Sequence, residues 1–190
     1  LLKEFKRKSI QVISIFAPIS AISGGIILLL APVYMANILF LVPTQIGMIS
    51  MISPIATIIG CLLWGTIADK LGRKNTLYIV LFGSLISTSF LVFAGNWYLF
   101  LIIYTIIGFF FGGYYVVGCA LLMDVTNPAI AASQFSILTA LFNLGEMGIG
   151  HGLAGIMVDT LGYRRVFLYS AIFYGISILL LYFVRGEKIK

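Results

Sequence analysis

Charged residues are scarce in this sequence: only 18 of its 190 residues, or 9%, carry a formal charge. Soluble domains carry about 25% charged residues. The charges are also unevenly placed, because none lies in the 60 residues from Ser9 to Ala68. A soluble fold cannot bury an apolar run of that length. The composition therefore excludes a soluble protein and indicates one that crosses a membrane several times.

Long apolar runs separated by turn-forming residues predict six transmembrane helices and no strands. A spanning helix needs about 20 apolar residues, whereas barrel strands alternate apolar and polar residues over about 10. The first run is over-long and holds Pro18 and Pro32, so we expect it to be kinked or to leave the membrane at one end. The predicted spans are residues 10–39, 45–68, 75–94, 97–122, 133–158 and 166–184, between a linker at 1–9 and a tail at 185–190.

Lysine and arginine predict the orientation, because loops on the cytoplasmic side of a membrane are enriched in them. Six spans place both termini on one side, and the opposite side holds only Arg164 and Arg165. We expect an integral protein of the cell or inner membrane with both termini in the cytoplasm. The net charge of +6 reflects this topology, and no nucleic-acid partner is expected. The side of the termini collects the other ten basic residues: Lys3, Lys6, Arg7, Lys8, Lys70, Arg73, Lys74, Arg185, Lys188 and Lys190.

Two short segments of the sequence match each other at an offset of 90 residues. Each copy ends one predicted span and begins the next. Since three spans separate the copies, they lie on opposite sides of the membrane, which predicts a 3+3 inverted repeat. The matched residues are Gly65, Asp69, Leu71 and Gly72 in the first copy, and Gly155, Asp159, Leu161 and Gly162 in the second.

The first copy, G-x-x-x-D-K-x-G-R-K from Gly65 to Lys74, resembles the signature loop of the major facilitator superfamily. The sequence 162–168 and the basic segments at both ends resemble the C-terminal half of such a transporter. The resemblance implies twelve helices in two halves, and this chain, which opens on Leu1 and not on methionine, is expected to be the second half. A fainter similarity over 123–128 and 132–135 points to the muropeptide-permease and acetyl-CoA-transporter branch, and it assigns no substrate.

The signature loop also has a physical logic of its own. Gly65 allows a neighbouring helix to approach closely, and Asp69 and Gly72 suit a tight turn. The Asp69 carboxylate can face a helix N-terminus, and Arg73 and Lys74 can pair with carboxylates or lipid phosphates. The resemblance implies that this loop is a conformational latch between the two halves and binds no substrate. The alternative is a plain basic turn on the cytoplasmic side.

One charged residue, Glu146, is predicted to lie near the middle of a span, the fifth. An ionisable group inside the membrane costs about 2.5–3.5 kcal/mol or more, so it is a functional candidate by default. Removal from water favours the neutral form of a carboxyl, which makes Glu146 a candidate for proton coupling or substrate contact. The alternative is a structural carboxyl that is hydrogen-bonded between the two halves.

Helical spacing around Glu146 predicts two opposite faces on the fifth span. A polar stripe is expected to face water, ligand or the partner half, and its Thr139 and Asn143 are, with Glu146, candidate substrate or ion contacts. A small-residue stripe suits close helix packing. The polar stripe comprises Ser136, Thr139, Asn143, Glu146 and Gly150, and the small-residue stripe comprises Gly145, Gly148, Gly152, Gly155 and Asp159.

Two other spans carry candidate substrate contacts. Tyr115 shares one face of the fourth span with Tyr104 and Gly108, and Tyr114 adjoins that face. These tyrosines either line a cavity or form an aromatic packing seam. On the first span, Asn37 is a further cavity candidate.

The sequence has none of the enzyme motifs G-x-S-x-G, phosphate loop or nucleotide fingerprint, so no enzymatic activity is expected. One histidine and two separated cysteines, Cys61 and Cys119, make a zinc site and any cofactor unexpected. The sequence predicts a symporter or antiporter half that moves a small-molecule substrate by alternating access, with H⁺ as candidate coupling ion. Its expected partners are membrane lipid and the other six-helix half. The alternative is a non-transport six-helix membrane protein, such as an assembly subunit or a receptor.

Overall fold

The computed structural model describes residues 7–184, and it is helical between short turns throughout that range. The linker residues 1–6 and the tail 185–190, with their five basic residues, lie outside the described part. The helices are α1 (Lys8–Asn37), α2 (Pro43–Leu71), α3 (Arg73–Phe90), α4 (Trp97–Val125), α5 (Ala131–Asn143), α6 (His151–Leu161) and α7 (Tyr163–Phe183).

Short 3₁₀- or π-helical turns adjoin α3, α5 and α6. A 3₁₀ turn, Leu91–Phe93, continues α3, and another, Pro128–Ile130, precedes α5. A π-helical turn, Leu144–Gly150, joins α5 to α6 without a break. The segment Pro128–Leu161 is therefore one continuous rod, which we call the fifth span.

Within residues 7–184, six helical segments are long and apolar enough to cross a membrane, which confirms the predicted all-α class. Helices satisfy their own backbone hydrogen bonds, as the hydrocarbon layer requires. The first span, α1, is unbroken over 30 residues despite Pro18 and Pro32. At 1.5 Å per residue it is about 45 Å long, whereas the hydrocarbon core is about 30 Å thick. An upright α1 therefore extends beyond that core.

Single glycines make the two tightest turns of the bundle. Gly72 separates α2 from α3 with φ of 86°, and Gly162 separates α6 from α7 with φ of 74°. Only glycine adopts this conformation without strain. The turns are shorter than predicted, because Asp69 and Asp159 belong to the last turns of α2 and α6.

Contacts between spans follow the predicted inverted repeat. The first span, α1, packs against the fifth span and α7, and α4 packs in the equivalent way against α2 and α3. The third and sixth spans, α3 and α7, pack against each other. Exchanging the first three spans with the last three reproduces this set of contacts, as a 3+3 repeat requires.

Glycines allow the paired spans to touch backbone to backbone. A β-carbon at Gly112 of α4 would overlap the carbonyl of Thr57 on α2. In the equivalent pair, a β-carbon at Gly25 of α1 would overlap the carbonyl of Glu146 on the fifth span. Small residues at such positions permit the close approach on which helix association in membranes depends.

Two hydrophobic clusters lie above and below these glycine contacts. Near the turn at 94–96, Tyr34 stacks on Phe100 at 5.5 Å between ring centroids and donates a hydrogen bond to the Ala94 carbonyl at 2.7 Å. Near the described termini, Trp64 packs on Phe110 at 5.7 Å. Glu146 lies at the level between the two clusters.

Replacing Gly112 with alanine in the full-length protein should lower its free energy of unfolding by about 1–3 kcal/mol, because the new methyl overfills the contact with α2. Gly118→Ala is the matched control, since no described atom lies within 4 Å of its β-carbon position. Thermal unfolding in detergent measures both variants. Equal melting temperatures would show that the backbone contact does not hold these spans together.

Candidate functional site

Glu146 lies in the π-helical turn of the fifth span, with 7% of its surface exposed. Among the described residues it is the one charged side chain that lies far from the end of a span. Its carbonyl rests on Gly25, and a β-carbon at the neighbouring Gly24 would lie 3.8 Å from its Oε1. Gly25 therefore allows the backbone of the π-helical turn to approach α1, and the Glu146 side chain lies beside Gly24.

The carboxyl of Glu146 has no ion-pair or hydrogen-bond partner within residues 7–184. It lines a cavity of about 90 Å³, whose other walls include Tyr104, Phe111 and, from α7, Tyr174. A buried carboxyl without a fixed partner is free to exchange a proton or to meet a ligand.

A second and larger cavity of about 160 Å³ lies between α1, α4 and α5. It brings together four of the six predicted substrate or ion candidates: Tyr114, Tyr115, Thr139 and Asn143. The hydroxyls of Tyr114 and Ser20 lie 2.5 Å apart and form a hydrogen bond that ties α4 to α1. Tyr114 therefore serves both interpretations of the fourth span, since it packs in the core and also forms a cavity wall.

Asn37 does not join this group. It lies at the end of α1, where its Nδ2 donates a hydrogen bond to the Tyr163 hydroxyl at 3.0 Å. Both residues are at the end of the bundle away from the described termini. The structure thus gives Asn37 a contact between α1 and α7 in place of a cavity position.

The polar stripe predicted on the fifth span is not one face. Ser136 and Asn143 are exposed, whereas Glu146 and Gly150 are buried. The π-helical turn causes the difference, because its wider i→i+5 geometry rotates the residues that follow relative to an α-helix.

The small-residue stripe also differs from the prediction. Gly145 packs against the Pro18 carbonyl of α1, as expected for close packing. Gly152 and Gly155 have no described atom within 4 Å of their β-carbon positions, and Gly148 meets only the Leu144 side chain of its own helix. Most of this stripe is therefore an open face of the six-helix unit.

The α2–α4 contact shows the spacing of contact points between two regular α-helices, with which the π-helical turn can be compared. Gly60 of α2 faces the Phe109 carbonyl of α4, and Thr57 of α2 faces Gly112. On each helix the two contact points are three residues apart, as expected for two α-helices in register.

The equivalent contact of α1 with the fifth span has one residue more. Gly150 faces the Ile22 carbonyl of α1, and Glu146 faces Gly25. These points are three residues apart on α1 but four apart on the fifth span. The π-helical turn is thus a one-residue insertion relative to α2, and Glu146 lies within it. Sequence matching at a constant offset of 90 could not reveal it, because the matched residues all lie beyond Gly150.

Interactions of Arg73 and Lys74 hold the signature loop in place. Arg73 forms an ion pair with Asp124 of α4 and donates a hydrogen bond to the Ala120 carbonyl at 2.8 Å. Lys74 donates to the carbonyl of Val184 at 2.6 Å, beyond the last turn of α7. A cation at a helix C-terminus also interacts favourably with the helix dipole.

The remaining residues of the loop are open. Asp69 is exposed, and no described atom lies within 4 Å of the β-carbon position of Gly65. The close helix approach predicted at Gly65 is therefore not made within residues 7–184.

Sequence reasoning missed the importance of Tyr174 and Phe142. Tyr174 is 2% exposed and lines the smaller cavity together with Glu146, and the Phe142 ring stacks on Tyr114. In an apolar span rich in aromatic residues, spacing alone does not distinguish such rings from lipid-facing ones.

The insertion predicts the outcome of two deletions in the full-length protein. Deleting Gly148, an exposed glycine of the π-helical turn, should restore the spacing of α2 and leave the melting temperature nearly unchanged. Deleting Ile137 from the regular part of α5 should rotate the preceding turns by about 100° and lower the melting temperature strongly. Size-exclusion chromatography after heating measures both. If the two deletions are equally damaging, the π-helical turn is not an insertion.

Comparison with known proteins agrees with this architecture. Residues 13–190 match the family model of the Major Facilitator Superfamily. The chain is 28% identical over 151 residues to the uncharacterized MFS-type transporter YttB of Bacillus subtilis (strain 168). That match covers 80% of this chain but 37% of the relative, so the chain spans little more than a third of that protein. With six apolar spans and a family match over nearly its whole length, the chain belongs to the major facilitator superfamily.

Proposed function

We propose that this chain is one six-helix half of a secondary transporter, which moves a small solute by alternating access and couples that movement to protons through Glu146. Membership of the family assigns the chain to solute transport across a membrane. The observation that carries the finer proposal is the buried carboxyl of Glu146, which has no partner among the described residues and borders a cavity.

The open glycine faces support the existence of a partner half. Gly65 on α2 and Gly155 on the fifth span are equivalent in the repeat, and both face open space within the described unit. Small residues exposed at matching places on two apolar helices suit close contact with further helices. We place the other six-helix half there. The resemblance of the chain ends favours this chain as the C-terminal half.

The distribution of basic residues supports cytoplasmic termini. Among the described residues, the side of the termini holds Arg7, Lys8, Lys70, Arg73 and Lys74, and the opposite side holds Arg164 and Arg165. Cytoplasmic loops carry the excess of lysine and arginine. The six-helix domain then lies between a cytoplasmic linker and a cytoplasmic tail.

Glu146→Gln in the full-length protein should abolish accumulation of solute driven by a pH gradient, because the amide cannot release a proton. Exchange of solute between equal concentrations needs no net proton movement, so we expect it to persist. Uptake into proteoliposomes, with a solute found by screening labelled metabolites, measures both.

Glu146→Asp is the matched variant for this experiment, since it keeps a titratable carboxyl and should retain part of the pH response. A Gln variant that accumulates solute as the native protein does would exclude Glu146 as the coupling site. The melting temperature of each Glu146 variant is measured as well. If it is unchanged, a loss of solute accumulation is not caused by unfolding.

Asp69→Ala should shift the balance between inward-facing and outward-facing states without changing the solute carried, if the signature loop is a latch. Cys119 lines the larger cavity and can report the shift once Cys61 and every other cysteine of the full-length protein are replaced by serine. We expect a change of about twofold or more in its labelling rate by a membrane-impermeant maleimide, equivalent to about 0.4 kcal/mol.

Asp159→Ala, at the equivalent place in the second copy of the repeat, is the matched control. A changed solute preference with equal labelling of Cys119 would contradict the latch and would favour a binding role for the loop.

A further inference from the structure

The larger cavity has the size of one aromatic ring. Its volume is about 160 Å³, and it lies between α1, α4 and α5. An apolar protein cavity of about 150 Å³ is known to hold one benzene molecule. A solute group of that size fills the space without displacing a helix.

Five of the eleven lining residues are aromatic. Phe16 lines the cavity from α1, Tyr114 from α4, and Phe135 and Phe142 from α5. The Tyr114 and Phe142 rings are stacked, with centroids 5.7 Å apart and an angle of 28° between their planes. Rings of this kind bind a further flat ring by offset or edge contacts.

Few polar groups in the cavity are available to a ligand. The hydroxyl of Thr139 is buried and has no hydrogen-bond partner among the described residues. Asn143 adds one amide and Tyr115 one hydroxyl, whereas the Tyr114 hydroxyl is already bonded to Ser20. A buried hydroxyl without a partner costs free energy, so a ligand that bonds to Thr139 gains by satisfying it.

The same cavity is unsuited to ions and to polyols. None of its described lining residues is charged, and Glu146 borders the smaller cavity instead. An ion would lose its hydration here without meeting a counter-charge. A sugar would leave several of its hydroxyls unpaired, because the described lining offers it only three free polar side chains, those of Tyr115, Thr139 and Asn143.

We propose that this cavity binds an uncharged, single-ring aromatic group that carries one hydrogen-bonding substituent, and that the substituent meets Thr139. As the substrate class of the transporter, this assignment rests on the proposed transport function. The two cavities are neighbours, because Tyr114 forms a wall of the larger one and its ring centroid lies 6.2 Å from that of Phe111, which lines the smaller one.

A matched series of fluorinated probes tests the assignment with the full-length protein in detergent. Para-fluorobenzyl alcohol, para-fluorobenzoate and para-fluorobenzylamine share one ring and differ in charge. Fluorine NMR line broadening measures the affinity of each. We expect the neutral alcohol to bind at least about tenfold more tightly than either ion, because the ions are not solvated in the cavity.

Three variants show whether binding occurs in the cavity. Gly118→Leu should abolish binding of the alcohol, because Gly118 lines the cavity and its β-carbon position is open. Thr139→Val should weaken binding about three- to tenfold, as loss of one hydrogen bond does. Thr160→Val is the control, since its hydroxyl already bonds to the Ile156 carbonyl outside the cavity.

Equal binding of the three probes, or tighter binding of an ion, would overturn the proposed class. Binding that persists unchanged in both Gly118→Leu and Thr139→Val would place the probe in the micelle and overturn the site. If the alcohol fails to bind to a protein that still accumulates solute, the ligand class is wrong and the transport function stands. If the alcohol binds in the cavity of a protein that moves no solute, the transport function is wrong and the binding site stands.

Discussion

Helices in a bilayer gain little hydrophobic free energy by associating, because lipid tails are as apolar as leucine, so their contact depends on close fit. In this protein the fit comes from glycines that rest on the backbone of a neighbouring span, as Gly25 does on Glu146 and Gly112 on Thr57. The contacts join α1 to the fifth span and α4 to α2. They also set the position of Glu146 and, through α1 and α4, the walls of both cavities.

Two sets of glycines have different consequences for the assembly. Those in backbone contact hold the six spans as one unit, whereas Gly65 and Gly155 meet no described neighbour. The second set lies at equivalent places on α2 and the fifth span. A unit whose own helices leave two such faces open, and which spans little more than a third of a related transporter, is consistent with half of a major facilitator fold.

The six spans, the inverted repeat and the family could be predicted from the sequence, because each depends on long apolar runs, on Gly72 and Gly162, or on charges at helix ends. The faces of the fifth span could not. The π-helical turn inserts one residue at Glu146, and apolar spacing carries no mark of it, so the predicted polar stripe was wrong. The polarity of Asn37 suggests a cavity position, but nothing in the sequence shows how far it lies from Tyr114.

A partner half that covers the open face of the fifth span is the central feature of the proposed transporter. Ile156 on that face and Leu179 on α7 are 64% and 68% exposed in the six-helix unit. Single cysteines at these positions, in a full-length protein whose native cysteines are all replaced by serine, can be labelled with a nitroxide in detergent. After reconstitution into lipid, EPR measures the exposure of each label to oxygen, which concentrates in the hydrocarbon layer. We expect the label at Leu179→Cys to be accessible to oxygen and the label at Ile156→Cys to be protected. Equal accessibility of the two would show that both faces meet lipid, and it would contradict the proposed half.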